Sequence, residues 1–451
     1  MKRSLYSILT LLVLLGLILS ACGSSAPAEE PAAPAEPASP AEPAAPTEEA
    51  AAPAEPQMTE ETVVIGFTSS LTGSQEVSSK RQVNGFLLWM NQVNEAGGIQ
   101  LSDGTTVKFD YKTYDDESTA ERVQELYTRL INEDNADFLI SPYSSGLTSA
   151  ASIVAEQNGK VLITTGAADD ATYQTGNTSL FQLYTPASLY MSSTVDMLKQ
   201  LDPEAKIALV HESDKFSTSV TEGIKPYLDA NGFEVVLEEG YASETTDFGP
   251  IVNKIQGSGA TVLLGGGHYN DGTSLARALY DRQIGLKFAY LLVAPADSKF
   301  PELGDAALGI ATSSQWELAA THTETEAANM GMDWFGPTGE DFAAAYQAAY
   351  GDPPTYHVAG GYTAGLVLQK AILDADSTDP DAVKAALNAM NLMTFFGATQ
   401  FDTSEEAHGL QIAHKMVVAQ WQKNDAGELT RVVIAPADVR TAEPLYPIPT
   451  P

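Results

Sequence analysis

Two short stretches of this chain carry residue types that could hold an anion. Ser141-Pro142-Tyr143-Ser144-Ser145-Gly146 follows the apolar run Phe138-Leu139-Ile140 and leads into a helical pattern from Leu147 to Gln157. Thr164-Thr165-Gly166-Ala167-Ala168-Asp169 follows Val161-Leu162-Ile163 in the same way. Each reads as a buried strand ending in a turn whose hydroxyls and free amides sit at a helix N-terminus, where the aligned peptide dipoles favour negative charge. A carboxylate is the matching ligand chemistry. Ser144 and Ser145 would donate hydroxyls. Asp169 and Asp170 are helix-capping types that could also reach a ligand. As ordinary N-capped turns the same residues need no ligand, so the rest of the chain has to decide.

Other reactive groups narrow the chemistry. His211, His268, His322, His357, His408 and His414 form no His-x-His or His-x-x-x-His pair. No tight zinc cluster is therefore expected, and no metal or other cofactor is assigned. Gly265-Gly266-Gly267-His268-Tyr269 is a turn after an apolar strand, and His268 there should face a cleft. The glycines lack the Lys-Ser/Thr of a phosphate-binding P-loop and the Gly-x-Gly-x-x-Gly spacing. No Gly-x-Ser-x-Gly elbow occurs, so Ser145 reads as a hydrogen-bond donor and no residue is assigned a catalytic role.

The elements that must position these turns repeat in a regular order. Thr62 to Phe67 is a buried strand, followed by a polar turn to Gly73 and a helix with apolar residues at Val83, Phe86, Leu87, Met90 and Val93. That spacing is helical, and Gly97-Gly98 stops it. A strand from Val107 to Tyr114 and a helix from Thr119 to Ile131 lead back to the first anion-binding stretch. Strand and helix alternate, so the sheet should be parallel with helices on both faces. A second series begins at Lys206-Ile207-Ala208-Leu209-Val210 and runs through helix 218–228, strand 233–237, helix 248–255, strand 261–264, a helical stretch 275–280 and strand 288–293. After Trp316 the pattern is mainly helical. Met416 to Trp421 and Thr430 to Ile434 read as a hairpin around Asn424-Asp425-Ala426-Gly427, and the Pro-rich end is expected to fray. In open α/β sheets ligands bind outside the carboxyl ends of the strands, which is where the polar turns fall.

The ends bound the setting. Met1-Lys2-Arg3 precedes an apolar run to Leu19, too short for a comfortable membrane span but right for an export signal. Leu19-Ser20-Ala21-Cys22-Gly23 closes it, and Cys22 is the only cysteine. This resembles the bacterial lipobox, in which the cysteine is lipidated and becomes the mature N-terminus. With no second cysteine there is no disulfide, so the exported fold must hold by its core. Gly23 to Glu60 is Pro, Ala, Glu and Ser with no basic residue. It cannot bury enough apolar surface to fold, and it reads as a tether reaching on the order of 100 Å. The formal net charge of −35 argues against nucleic acid as a partner. Roughly 390 residues remain between the ends, too many for one core and suited to two lobes.

In this order the motifs resemble the type I periplasmic solute-binding proteins of ABC transporters, in the branched-chain amino-acid (leucine/isoleucine/valine) branch. The resemblance runs from about Thr62 to Ile434. It rests on Ile65-Gly66, Leu71-Thr72-Gly73, Gly85, Asn94-Glu95-Ala96-Gly97-Gly98-Ile99, Asp115-Asp116-Glu117-Ser118, Ser141 to Gly146, Lys206 to Val210, Thr245-Thr246-Asp247-Phe248 and Leu264 to Gly267.

The resemblance implies an α/β fold of two Rossmann-like lobes with parallel sheets, joined by three crossovers, with the ligand gripped between the lobes. The crossovers fall near Tyr184-Thr185-Pro186, Gln315-Trp316 and Phe401-Asp402. The expected division is residues 1–21 signal peptide, 22–60 tether, 61–184 plus 317–402 first lobe, and 185–316 plus 403–451 second lobe. The family's carboxylate-binding serine matches Ser145, and its backbone-and-hydroxyl turn matches Gly166 to Ala168, with Asp169 alongside. The aromatic residue at the mouth of the second lobe matches Phe216. The family tyrosine falls on Gly267, with Tyr269 two residues on. The acid that meets an α-ammonium falls near Ala294, with Asp297 three residues later, so the ammonium half of the pocket is not matched.

The implied function is a lipid-anchored, extracytoplasmic, monomeric protein that captures a small solute, a branched-chain amino acid or a related carboxylate or amide, for an ABC permease. A sensory receptor built on the same fold is the other class left open, and an exported hydrolase a third.

Overall fold

The computed structural model describes residues 59–449. The expected signal sequence, Cys22 and all but the last residues of the expected tether lie outside them. No described helix is long and apolar enough to cross a membrane.

The first series opens with β1 (Thr59–Ser69), in which Val63, Ile65 and Phe67 are buried. α1 (Glu76–Glu95), β2 (Ile99–Gln100), β3 (Thr105–Asp115), α2 (Ala120–Asn132), β4 (Phe138–Ile140), α3 (Ser145–Gln157), β5 (Leu162–Thr164), the short α4 (Asp170–Tyr173) and β6 (Leu180–Gln182) follow. Six strands form one sheet in the order β2-β3-β1-β4-β5-β6, parallel except for β2. β4 and β5 are apolar and fully buried, as central parallel strands covered on both faces must be. β1 sends its next strand to one side and β4 lies on the other. The order therefore reverses between β1 and β4, which makes a topological switch point.

The chain then runs through α5 (Ser192–Leu201) into β7 (Lys206–Glu212), α6 (Lys215–Ala230), β8 (Glu234–Tyr241), α7 (Gly249–Ser258), β9 (Val262–Gly266), α8 (Tyr269–Asp281), β10 (Phe288–Leu291) and β11 (Ile310–Ser314). With β15 (Val417–Lys423) and β16 (Leu429–Ala435) these make a seven-stranded sheet, ordered β16-β15-β11-β10-β9-β7-β8. The hairpin β15–β16 joins it antiparallel and the other strands are parallel. Its order reverses between β7 and β9.

Between β11 and β15 the chain returns to the first sheet's side with α9 (Glu324–Met330), β12 (Asp333–Trp334), α10 (Gly339–Tyr350), α11 (Tyr356–Ala375), α12 (Pro380–Asn388), β13 (Leu392–Thr394) and β14 (Gly397–Thr399). β12, β13 and β14 form a three-stranded sheet that the helical reading of this region misses. These strands are two or three residues long, below the length at which alternation shows. α11 crosses α1 so closely that a Cβ at Gly361 or Gly85 would meet opposing backbone oxygen at about 2 Å, which only glycine allows.

Three connections between the sheets run side by side and bond to one another. The Thr185 amide donates to Gln315 Oε1 at 3.1 Å, and the Thr185 hydroxyl donates to the His414 carbonyl at 3.2 Å. His414 Nε2 lies 3.0 Å from the Gln315 carbonyl. Burial holds the His414 imidazole at a pKa of about 3, so Nε2 carries its proton as a neutral donor. Phe401 and Asp402, the residues expected at the third crossover, instead turn back along β6. Phe401 pairs antiparallel with Gln411, and the Gln182 amide donates to the Gly409 carbonyl at 2.8 Å. We therefore assign residues 403–411 to the first lobe and put the third crossover at His414.

The Pro-rich end does not fray as expected. The Leu445 amide donates to Gln420 Oε1 at 2.8 Å, and Ile448 to the Lys287 carbonyl at 2.9 Å. The tail seals the outer face of the second sheet beside Leu286 and Ile310.

Candidate solute-binding site

The two switch points face each other. On the first sheet, β4 ends at Ser141, whose carbonyl accepts from Gln82 Nε2 at 2.8 Å. Tyr143 projects from the following turn. Ser144 caps α3, its Oγ accepting from the Leu147 amide, and its own amide donates to the Gly166 carbonyl at 3.1 Å. Ser145 is fully buried, and its Oγ accepts from the Ala168 and Asp169 amides, both at 3.1 Å. The amides that the sequence offered to a ligand carboxylate are thus spent on Ser145, which staples the two turns together. Gly166 lies against Gln82, and a Cβ there would sit 2.5 Å from Gln82 Oε1 and 2.7 Å from Tyr143 Cδ2.

On the second sheet, Asp214 caps α6 and His268 precedes α8. His268 Nε2 lies 3.0 Å from Asp214 Oδ2, and Nδ1 lies 3.3 Å from the Tyr143 hydroxyl, so this ring bridges the sheets. Behind it stand Glu212 at the end of β7 and Asp271 on α8, both buried. Asp271 accepts from the Tyr241 hydroxyl at 2.5 Å. Burial first, then the Glu212 charge, push Asp271 up to about 6. Burial alone would strip the proton from His268. Its Tyr143 and Asp214 neighbours outweigh that and raise the imidazole above its ordinary value. Glu212, Asp214 and His268 each place one oxygen or nitrogen within 4.8 Å of the others, a spacing a cation could bridge.

A small cavity with free space of about 10 Å³ lies where the switch points meet. Gly166, His268, Val293, Phe216 and the rings of Tyr143, Tyr184, Tyr190 and Tyr356 line it. Phe216 meets His268 at 5.6 Å and Tyr190 at 5.3 Å between ring centroids, and Tyr184 meets Tyr356 at 5.7 Å. The Tyr190 hydroxyl accepts from Gln315 Nε2 at 2.8 Å, which ties the cavity wall to the crossovers. The Tyr184 hydroxyl, Thr165 Oγ1 and Gln82 Oε1 are buried without a protein partner around it. The free space is room for little more than one water, so an organic solute can enter only if the walls move apart. A larger groove of about 240 Å³ lies between α8 and the tail.

Two clasps cross from sheet to sheet beside the cavity. On one side Lys215 Nζ reaches Asp169 Oδ2 at 3.2 Å, Ser149 Oγ at 3.0 Å and Thr172 Oγ1 at 2.9 Å. On the other, Arg81 from α1 reaches Asp297 at 3.3 Å, Ser298 Oγ at 3.1 Å and Asp352 at 3.0 Å.

Of the residues singled out in the sequence, Gly166, Phe216 and His268 line the cavity. Ser144, Ser145 and Ala168 build the turns behind it. Asp169 and Asp297 are occupied by Lys215 and Arg81, so neither stands free for an ammonium. Tyr269 is half-buried and packs with the core of the second sheet. Sequence reasoning missed the role of Tyr143 and the whole of Tyr184, Tyr190, Val293 and Tyr356. Tyr143, Tyr184 and Tyr356 all sit at element ends, the one signal that could have gathered them.

The chain matches the family described as periplasmic binding protein over residues 62–427, and it belongs to that family. Its members are extracytoplasmic substrate-binding proteins of transport systems. It is 23% identical over 371 residues to the leucine-, isoleucine-, valine-, threonine-, and alanine-binding protein of Pseudomonas aeruginosa, covering 81% of this chain and 92% of that one. Among solved structures it superposes on the branched-chain amino acid transporter substrate-binding protein LivJ of Streptococcus pneumoniae, in complex with isoleucine. There the TM-score is 0.67 and the identity 20%, over 83% of this chain and 100% of that one. It also superposes on a solute-binding protein of an ABC transporter from Rhodopseudomonas palustris, in complex with 3,4-dihydroxybenzoic acid. There the TM-score is 0.70 and the identity 18%, over 86% and 99% of the two chains.

Proposed function

We propose that this protein is an extracytoplasmic solute-binding lipoprotein. It captures a small organic solute, a branched-chain amino acid or related carboxylate or amide, between its two lobes and presents it to an ABC permease. The observation that carries this reading is the small cavity at two facing switch points, clasped by charges from both lobes. Such a cavity can fill only if the lobes part, and a ligand that contacts both walls favours the closed form. Ser145 accepts two amides and bonds to no histidine, which supports binding rather than catalysis. Cys22 is the proposed lipid attachment site, and the tether holds a monomer off the membrane.

The test is a thermal-shift screen of amino acids, keto acids and aromatic acids, followed by solution scattering with any hit. Capture predicts a raised melting temperature and a smaller radius of gyration. A proven ligand that leaves the scattering profile of a ligand-free open form unchanged overturns the clamshell reading. For anchoring, Cys22→Ala should abolish incorporation of labelled fatty acid, and labelling at the wild-type level refutes the assignment.

A further inference from the structure

We propose that Glu212, Asp214 and His268, with Asp271 beside them, form a binding site for one divalent transition-metal ion of the zinc type, in the second lobe's half of the cleft. Such an ion belongs to the protein itself, so its presence does not depend on which solute is captured.

Strand order brings these donors together. β7 lies between β8 and β9, and Glu212 at its end stands opposite Tyr241 on β8. Gly267 and His268 follow the end of β9, and Asp271 lies in the first turn of α8. Asp214 caps α6 two residues after Glu212. Glu212, Asp214 and His268 each offer one donor atom, all within 4.8 Å of one another. Zinc holds imidazole nitrogen and carboxylate oxygen at about 2.0–2.2 Å, so small side-chain rotations bring the three onto one ion.

Glu212 independently lacks a partner. It is only 3% exposed, and its Oε2 is buried with no hydrogen-bond partner. A glutamate is almost never buried so deeply unless paired, because an ionised carboxylate without donor or counter-charge is costly out of water. The free oxygen is aimed into the cluster. A Cβ built on Gly267 would lie 2.3 Å from Glu212 Oε2 and 2.5 Å from Asp271 Oδ2, so the two oxygens converge over a residue whose lack of a side chain leaves them room.

The cations nearby are committed elsewhere. Lys215, next to Asp214 in the chain, reaches across to Asp169, and Arg81 holds Asp297. Among the described residues no lysine or arginine pairs with Glu212, Asp214 or Asp271; Asp214 has only His268. Three carboxylates thus share one imidazole, and the acids outnumber it even when the ring is protonated. A divalent ion supplies the missing charge.

The donor set selects the ion. Calcium and magnesium take oxygen donors, whereas imidazole with carboxylates suits zinc and its neighbours. The other ring nitrogen of His268 lies 3.3 Å from the Tyr143 hydroxyl, the kind of outer contact that orients a ligating histidine. Asp214 is partly exposed, which gives the ion a way in from solvent. His268 also lines the small cavity, so the ion braces one wall of the cleft.

The test is calorimetry on the full chain, stripped of metal with EDTA and titrated with zinc chloride. One zinc per chain is expected, with a raised melting temperature and at least about tenfold preference over calcium and magnesium. Glu212→Gln and His268→Gln should each weaken zinc by more than about 100-fold, since loss of an outer contact alone costs about 10–100-fold. His322→Gln removes the His322–Glu326 pair elsewhere on the chain and should leave zinc affinity unchanged. Should Glu212→Gln not fold, Asp214→Asn carries the same expectation. No saturable zinc binding below millimolar concentration overturns the proposal, as does unchanged affinity in either Glu212→Gln or His268→Gln, or loss of zinc in His322→Gln. Leucine binding to the stripped protein that is lost in Glu212→Gln and indifferent to saturating zinc also overturns it, because the cluster then serves a solute ammonium. The solute screen run in EDTA is independent of the zinc titration, so capture and metal binding fail separately.

Discussion

Arg81→Met tests whether charge holds the lobes closed. Arg81 and Asp297 face each other from opposite lobes, with side chains only 8% and 4% exposed. Removing the guanidinium leaves Asp297 buried beside one remaining donor, the Lys299 amide at 2.9 Å. Breaking a buried pair in this way costs about 3–5 kcal/mol, and the surviving amide bond argues for the lower end. The penalty falls on the closed form alone, because opening returns Asp297 to water. At 1.4 kcal/mol per tenfold, 3 kcal/mol shifts the closed–open ratio by about 100-fold. Ligand affinity should fall by up to that factor, and the ligand-free radius of gyration should rise. Asp352 is 48% exposed and lies in the same lobe as Arg81, so Asp352→Asn is the control and should change little. If Arg81→Met scatters like wild type and binds within threefold, the clasp does not govern closure.

Other outcomes follow from single contacts. Gly166→Ala should displace Tyr143 or Gln82, since its Cβ would lie within 2.7 Å of both, and should lose binding while destabilising the fold by about 1–3 kcal/mol, read by calorimetry and melting. Lys215→Met should open the second clasp more mildly, by about 1 kcal/mol, because Lys215 is 35% exposed; affinity that is indifferent to salt in wild type would refute it. Asp271 is raised to about 6 in the fold, so it favours the fold while protonated and loses that contribution as pH rises through 6. Asp271→Asn should therefore raise the melting temperature at pH 7.5 and change it little at pH 4; a lower value at pH 7.5 would reverse the sign.

Much of this was legible because strands in parallel sheets advertise themselves. Phe138-Leu139-Ile140 and Val161-Leu162-Ile163 are apolar on both faces and stop at polar turns, so both the sheet and its binding edge can be read directly. Gly166, Phe216 and His268 follow, since each sits within a few residues of a strand end. Tyr184, Tyr190 and Tyr356 do not follow. They reach the cavity from a crossover and from α11, and only the tertiary fold brings Tyr184 and Tyr356, 172 residues apart, to one ring contact. Pairings were equally hidden. Asp169 and Asp297 look like free acids in the sequence, but cations from the opposite lobe meet each of them. The three short strands after α9 and the packed tail escaped because neither has a period long enough to detect.

The two switch points contribute different physics to one cavity. The first lobe brings hydroxyls and amides that largely satisfy each other: Ser145 with the Ala168 and Asp169 amides, Ser144 with Gly166. Those bonds are complete in either state of the cleft, so they shape the wall without favouring closure. The second lobe brings net charge, with Asp214, Glu212 and Asp271 around His268, and Asp297 waiting for Arg81. Charges of that kind are satisfied fully only when the first lobe arrives with Tyr143, Arg81 and Asp169. Closure therefore gains from electrostatics across the cleft, while the ligand adds the burial of its apolar body among the tyrosines.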